Sequence, residues 1–414
     1  MNNKICKTKI FFLLCLLAVL SGCEEDTFNE HATLFSVTAK VDYPQNYSVS
    51  PAEGVKVRLV NLENSLEITV MSDANGMVTF TNVKKGTYRM SFSKTITASV
   101  AQGLNDTIVT IADVVNGRLL NLNASKEGIN LTSGIDLGEI SLRPSLPGDI
   151  LIKEVFYTGT TTPNGKAYWS DQFIEIFNNT SKVIYADSIY IATLYGTNGS
   201  VDNSPSTLSS DEDNVYPDFV WMIPGNGHSN PILPGKSLLI AEDGMNHKTD
   251  PNGNPNSIDL SMANYETFMK RDIQKDIDVS EIRNMTEIFA NKQGTHDFIL
   301  HSYGPAIVLF KIKDVSVLEK VPYPYDSEGL TLIKLPVKHI MDAFESLAHA
   351  TSGKYKRIPR NIDAGFIYCN GIYNGESCRR ITQDIVNGRR VLQDTNNSSD
   401  DFEVIPFPTP KSFE

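Results

Sequence analysis

Val55-Lys56-Val57-Arg58-Leu59 alternates apolar and charged side chains with a period of two. On an extended backbone this puts Val55, Val57 and Leu59 on one face and the two cations on the other, as a half-buried sheet requires. The same habit continues on both sides. Thr33 to Val41, Leu66 to Met71, Met77 to Phe80 and Gly86 to Ser93 carry alternating or β-branched apolar residues. Pro51 and Gly54, Asp73 to Gly76 and Asn82 to Gly86 punctuate them as turns. The expectation is a mainly β protein, with a first β-sandwich over residues 33–142.

Within this region Ser72-Asp73-Ala74-Asn75-Gly76-Met77-Val78-Thr79-Phe80, then Asn82-Val83 and Gly86-Thr87-Tyr88, resembles the prealbumin-like, carboxypeptidase-regulatory-type module of secreted bacterial proteins. That resemblance implies a non-catalytic spacer or interaction domain. Arg143-Pro144-Ser145-Leu146-Pro147-Gly148 then breaks the pattern and is read as a linker over 143–148, because proline fixes φ and offers no backbone donor.

The second region, 149–414, opens with Ile150-Leu151-Ile152-Lys153-Glu154-Val155-Phe156-Tyr157 and continues with Phe173-Ile174-Glu175-Ile176-Phe177-Asn178. Pro234-Gly235 precedes the apolar run Leu238-Leu239-Ile240-Ala241, and Asp394-Thr395-Asn396-Asn397-Ser398 with Asp401-Phe402 stands near the end. This ordered set resembles the bacterial lamin-tail domain, an immunoglobulin-like β-sandwich, with residues 196–231 and 242–296 as long insertions. The insertions put the binding properties of other lamin-tail domains in doubt for this chain. Two helices are expected among the strands. One starts at Pro336 and buries Ile340, Phe344, Leu347 and Ala348 before Gly353; the other is capped by Ser261 and runs through Tyr265 and Phe268.

The chain's first residues read as an address. Lys4, Lys7 and Lys9 precede an uncharged apolar run from Ile10 to Leu20, which is too short to span a bilayer. Leu20-Ser21-Gly22-Cys23 resembles the bacterial lipobox, which implies a signal peptide over 1–22, diacylglycerol on Cys23 and an outer membrane lipoprotein anchored by its acyl chains. Glu24-Glu25-Asp26 opens an acidic tether, 23–32, similar to the export signal that sends Bacteroides-type lipoproteins to the cell surface. Pairing of the two modules behind this leader resembles a family of Bacteroides-type surface lipoproteins without an assigned activity. Loss of residues 1–22 removes three lysines and no acid, leaving 34 Lys and Arg against 49 Asp and Glu. So acidic a body lacks the basic footprint of a nucleic-acid binder.

Cysteines and histidines give no strong site. Cys369 and Cys378 outlast the leader, and they could close a small disulfide loop or stand as two buried thiols; spacing leaves both open. No Gly-x-Ser-x-Gly or His-Glu-x-x-His is present, and His228, His247, His296, His301, His339 and His349 are scattered. Gly235-Lys236-Ser237 lacks the glycine that would open a phosphate loop and reads as a turn. Asp250-Pro251-Asn252-Gly253-Asn254 begins like a calcium loop, but Pro255 and Ser261 stand where glycine and a bidentate glutamate are needed. No metal or cofactor is expected.

Aromatic residues say more. Tyr168, Trp169 and Trp221 lie among loops of the second domain beside Asn and Asp, the setting in which rings stack on sugars or peptides. Core packing is the competing reading for each. The expected function is non-catalytic binding or adhesion to a glycan or protein ligand. Two alternatives are an accessory subunit of an outer-membrane receptor complex for nutrient uptake, and a metal-dependent hydrolase with its site in the insertions. Converging buried carboxylates and histidines in a cleft would favour the last.

Overall fold

The computed structural model describes residues 33–115, 117–196, 211–291, 295–323 and 329–413. The expected signal peptide, Cys23 and the expected acidic tether lie outside the described residues. Leu34–Glu414 form one unit, whose two largest apolar clusters lie in separate bodies.

The first body has eight strands: β1 (Leu34–Asp42), β2 (Lys56–Asn61), β3 (Glu67–Met71), β4 (Met77–Lys84), β5 (Gly86–Thr97), β6 (Leu119–Leu131), β7 (Ile135–Ser141) and β8 (Arg143–Ser145). They form two sheets, ordered β4-β1-β7 and β3-β2-β5-β6-β8. Alternation decides what is inside. Val57 and Leu59 of β2 face Phe92 and Met90 of β5 across the ladder, and all four are buried with Val37, Ala39 and Val41 of β1. The expected linker is corrected in part: Arg143, Pro144 and Ser145 pair antiparallel with Asn123, Leu122 and Asn121 of β6. Proline is tolerated there because β8 is an edge strand and needs no donor on its outer side.

The principal strands of the second body are β9 (Ile150–Phe156), β10 (Phe173–Asn178), β11 (Tyr190–Leu194), β12 (Pro217–Met222), β13 (Ser237–Ala241) and β14 (Tyr265–Glu266). They continue with β15 (Arg283–Asn284), β16 (Thr286–Ala290), β17 (Ala306–Phe310), β18 (Ile340–Glu345), β19 (Ser377–Arg380) and β20 (Phe402–Ile405). A seven-stranded sheet, β15-β14-β13-β10-β9-β19-β20, packs on a five-stranded one, β16-β12-β11-β17-β18. Between them lie Ile152, Ile174, Ile176 and Ile240 from the first and Ile191, Trp221, Leu309 and Phe344 from the second. Each such side chain contributes about 1.5–3 kcal/mol on burial.

The outer face of the large sheet is covered too. Phe156, Phe173 and Leu239 pack against Leu260 and Ala263 of the 242–296 segment. On that face Lys153 and Glu175 are fully buried and joined at 2.9 Å, with Ser412 O accepting from the Lys153 ammonium at 2.5 Å. The mainly β class holds throughout, in several sheets.

Both expected helices are corrected. Thr331–Pro336 is a strand, Val337–His339 one 3-10 turn, and Ile340–Glu345 the edge strand β18. Ile340, Phe344 and Leu347 fit a helical stripe, but Asp342 to Glu345 are buried on successive positions in a strand covered on both faces. Around Ser261 there is no helix either: its N–H and hydroxyl bond Asp259 Oδ1 in a turn, and Tyr265–Glu266 adds to the sheet.

The bodies dock through the closing motif. Asn121 Nδ2 donates to Asp394 O at 2.6 Å, Gly148 N donates to Asp394 Oδ2 at 2.6 Å, and Arg58 pairs with Asp400.

Candidate functional site

Gly159 begins the loop that carries the predicted rings. Its φ is 67°, and a Cβ there would stand 2.3 Å from Tyr168 O, so only glycine lets Thr160–Thr161 pair with Ala167–Tyr168. Tyr168 is half-buried and tied down: its hydroxyl lies 2.7 Å from His247 Nδ1. His247 Nε2 faces Asp243 O at 3.0 Å. Because a carbonyl only accepts, Nε2 carries the proton and Nδ1 accepts from Tyr168. Burial pushes His247 down to about 4, so the ring is neutral at pH 7. Trp169, the next residue, is 38% exposed and has its ring 6.4 Å from that of Tyr373. Trp221 is not a surface ring. It lies in β12, is 1% exposed and meets Phe298 edge-on at 5.6 Å. The loop-rich sequence around it hides a strand.

Behind Tyr168 the polar groups interlock. Asp171 Oδ2 accepts from Thr160 and Ser257 hydroxyls, each at 2.6 Å, and Asn254 Nδ2 donates to Thr160 Oγ1 at 2.8 Å. The Asp250 turn contributes Asn254 to this network and is held by its own bond from Asn252 N at 2.8 Å.

Further in stand acids that the sequence reading missed. Glu242 and Asp243 follow β13 directly, at 4% and 3% exposure, and Asp276 and Asp297 reach them from other segments. Burial and then the negative neighbours Asp276 and Asp297 push Asp243 up to about 8. Burial likewise takes Asp276 up to about 7. Their one sequence signal is that acids abut apolar runs, at Ala241-Glu242-Asp243 and Asp297-Phe298. Among the described residues no three His, Cys, Asp or Glu side chains are placed to hold a metal ion together.

Cys369 and Cys378 come together without a bond. Both are buried thiols, with their sulfurs 3.7 Å apart, and burial pushes the Cys378 thiol up. Such a thiol is a poor nucleophile.

A wide concavity lies between the two bodies. It encloses about 860 Å³ and is lined by Asn123, Ser125, Lys126 and Glu127 of β6, Arg143 of β8, and Arg360 and Asn361 of the second body. Ser125 Oγ, Asn361 Oδ1 and both Glu127 carboxylate oxygens have no hydrogen-bond partner there among the described residues. Burial raises Glu127, opposed by Arg89, Arg360 and Lys356. No sequence motif marks this cleft, because its walls come from six separated stretches.

Fold and site together define a mainly β protein of packed sheets with a polar cleft between its two bodies. Residues 233–409 match the family described as Protein of unknown function (DUF4876). A DUF4876 family protein from Bacteroides thetaiotaomicron VPI-5482 has a crystal structure similar to this chain, with 24% identity and a TM-score of 0.56. The match covers 89% of this chain and 94% of that one, so the two share a fold over nearly their whole lengths. A DUF3823 family protein from Parabacteroides merdae ATCC 43184 aligns over 39% of this chain and 67% of its own, at 12% identity and a TM-score of 0.15, too low to bear on the fold. No curated protein matches the chain.

Proposed function

We propose that this is a lipid-anchored, surface-displayed protein without catalysis that binds a polar ligand, a glycan or a peptide segment of another protein, in the cleft between its two bodies. One observation carries the reading. The cleft, about 860 Å³, has the size of a ligand site and offers donors and acceptors of both charge signs with part of their hydrogen-bonding capacity unused. Inter-body clefts are where such sites concentrate. Converging buried carboxylates do exist around Glu242, but the cavity beside them is only about 10 Å³, too small for a substrate. That favours binding over the hydrolase alternative.

The test is an array of glycans and host proteins probed with the full chain. Saturable binding is expected, weakened at least tenfold, about 1.4 kcal/mol, by Arg360→Ala or Asn361→Ala. Trp169→Ala should change it less. Arrays on which the chain binds nothing would refute the proposal.

A further inference from the structure

Several deeply buried acids of the second body have a buried cation beside them, while others, such as Glu154, Asp171 and Glu266, are held by hydroxyls or backbone N–H groups. Glu175 has Lys153, Glu345 has Lys356 and Arg357, and Asp342, Asp394 and Asp401 surround Arg380. Burying a charge demands such compensation. Around Glu242 the pattern fails. Among the described residues no Lys, Arg or His lies within ion-pair distance of Glu242, Asp243, Asp276 or Asp297. Arg271 is close enough to feel Asp276, but its guanidinium is engaged twice by Glu287, at 2.9 Å each.

A second observation is independent of that charge count. Glu242 is 96% buried, from an exposure of 4%, yet neither carboxylate oxygen has a hydrogen-bond partner, and Asp297 Oδ1 has none either. The two carboxylates face each other closely enough to share a proton, though as anions neither can donate to the other. Glu242 also lines a cavity of about 10 Å³, bordered by Gln172, Thr267 and Phe298, which is room for one water-sized occupant.

We propose that Glu242 and Asp297 bind a calcium ion between them. Two carboxylates balance its charge, and Asp243 and Asp276 stand close by. An all-oxygen donor set selects a hard cation, and calcium accepts irregular shells completed by water and peptide carbonyls, whereas magnesium requires near-octahedral geometry. Since only two carboxylates meet, those other donors must supply the remaining positions. The ion would join the end of β13 to the segment before Leu300, fixing the insertion that covers the outer sheet face. This inference is independent of the cleft, and either can fail alone.

The competing occupant is a single proton shared by Glu242 and Asp297. Full-length protein stripped with EDTA, then dialysed against calcium, separates the two by metal analysis and thermal melting. Calcium binding predicts about one ion retained per chain and a Tm about 5 °C higher at saturating calcium, reversed by EDTA. Glu242→Gln and Asp297→Asn should each weaken calcium affinity at least tenfold. Asp297 is the less buried of the two and keeps the test open if the Glu242 variant does not fold. No retained metal with a Tm indifferent to calcium would overturn the proposal. So would calcium uptake that both variants preserve.

Discussion

Asp171 shows how burial sets the charge of a single residue. Its Oδ2 accepts two hydroxyls while Oδ1 has no partner, and burial, only partly offset by those hydroxyls, pushes its pKa up to about 6. An acid raised in the folded state holds its proton longer there than in the unfolded chain, whose aspartates titrate near 3.9. Its stabilising contribution is therefore complete below about pH 4 and lost as pH rises through about 6. Asp171→Asn keeps an acceptor for Thr160 and Ser257 and removes the titration. Chemical denaturation across pH 3–8 should show the variant gaining on the parent between pH 4 and 6, by about 3 kcal/mol. Parallel pH profiles would show that Asp171 stays ionised when folded. Tyr168 carries a related lesson: its neutral His247 partner makes it part of a packed network, and Trp169 is the more exposed ring of the two.

At the scale of elements, Arg380 of β19 joins the two sheets of the second body. Its guanidinium donates to Asp342 of β18 at 2.9 and 2.7 Å and to Ile152 O of β9 at 2.7 Å, at 1% exposure. Arg380→Ala leaves Asp342 buried and unpaired and should destabilise the protein by about 3–5 kcal/mol in urea denaturation. A loss below about 1 kcal/mol would mean that water replaces the arginine. Elements like this explain what the sequence could and could not disclose. Strands with one wet face, such as Val55 to Leu59, announce themselves by alternation, and the expected bounds lie within a few residues of β1 to β4. Buried on both faces, Ile340–Glu345 shows no alternation, and its apolar spacing imitates a helix. The long strand β6 alternates in the same way, Leu120, Leu122 and Ala124 against Asn121, Asn123 and Ser125, and those polar groups dock the second body and line the cleft. Glu242 and Asp297 are 55 positions apart in the chain and converge only through the fold.

For the whole molecule, the decisive feature is that the segment after the first sandwich is no free tether. Its β8 pairs with β6, Gly148 bonds Asp394, and the 394–401 loop takes Asn121 and Arg58, so the bodies meet along a bonded seam with the cleft beside it. A ligand held there would touch both bodies at once, which suits recognition by a rigid pair of sandwiches and calls for no moving part. Hydrogen–deuterium exchange of the full chain, with and without a ligand found on the array, tests this most directly. Binding in the cleft predicts slower exchange over residues 123–127 and around Arg360 and Asn361. Protection confined to the Tyr168–Trp169 loop, with those stretches unchanged, would contradict it.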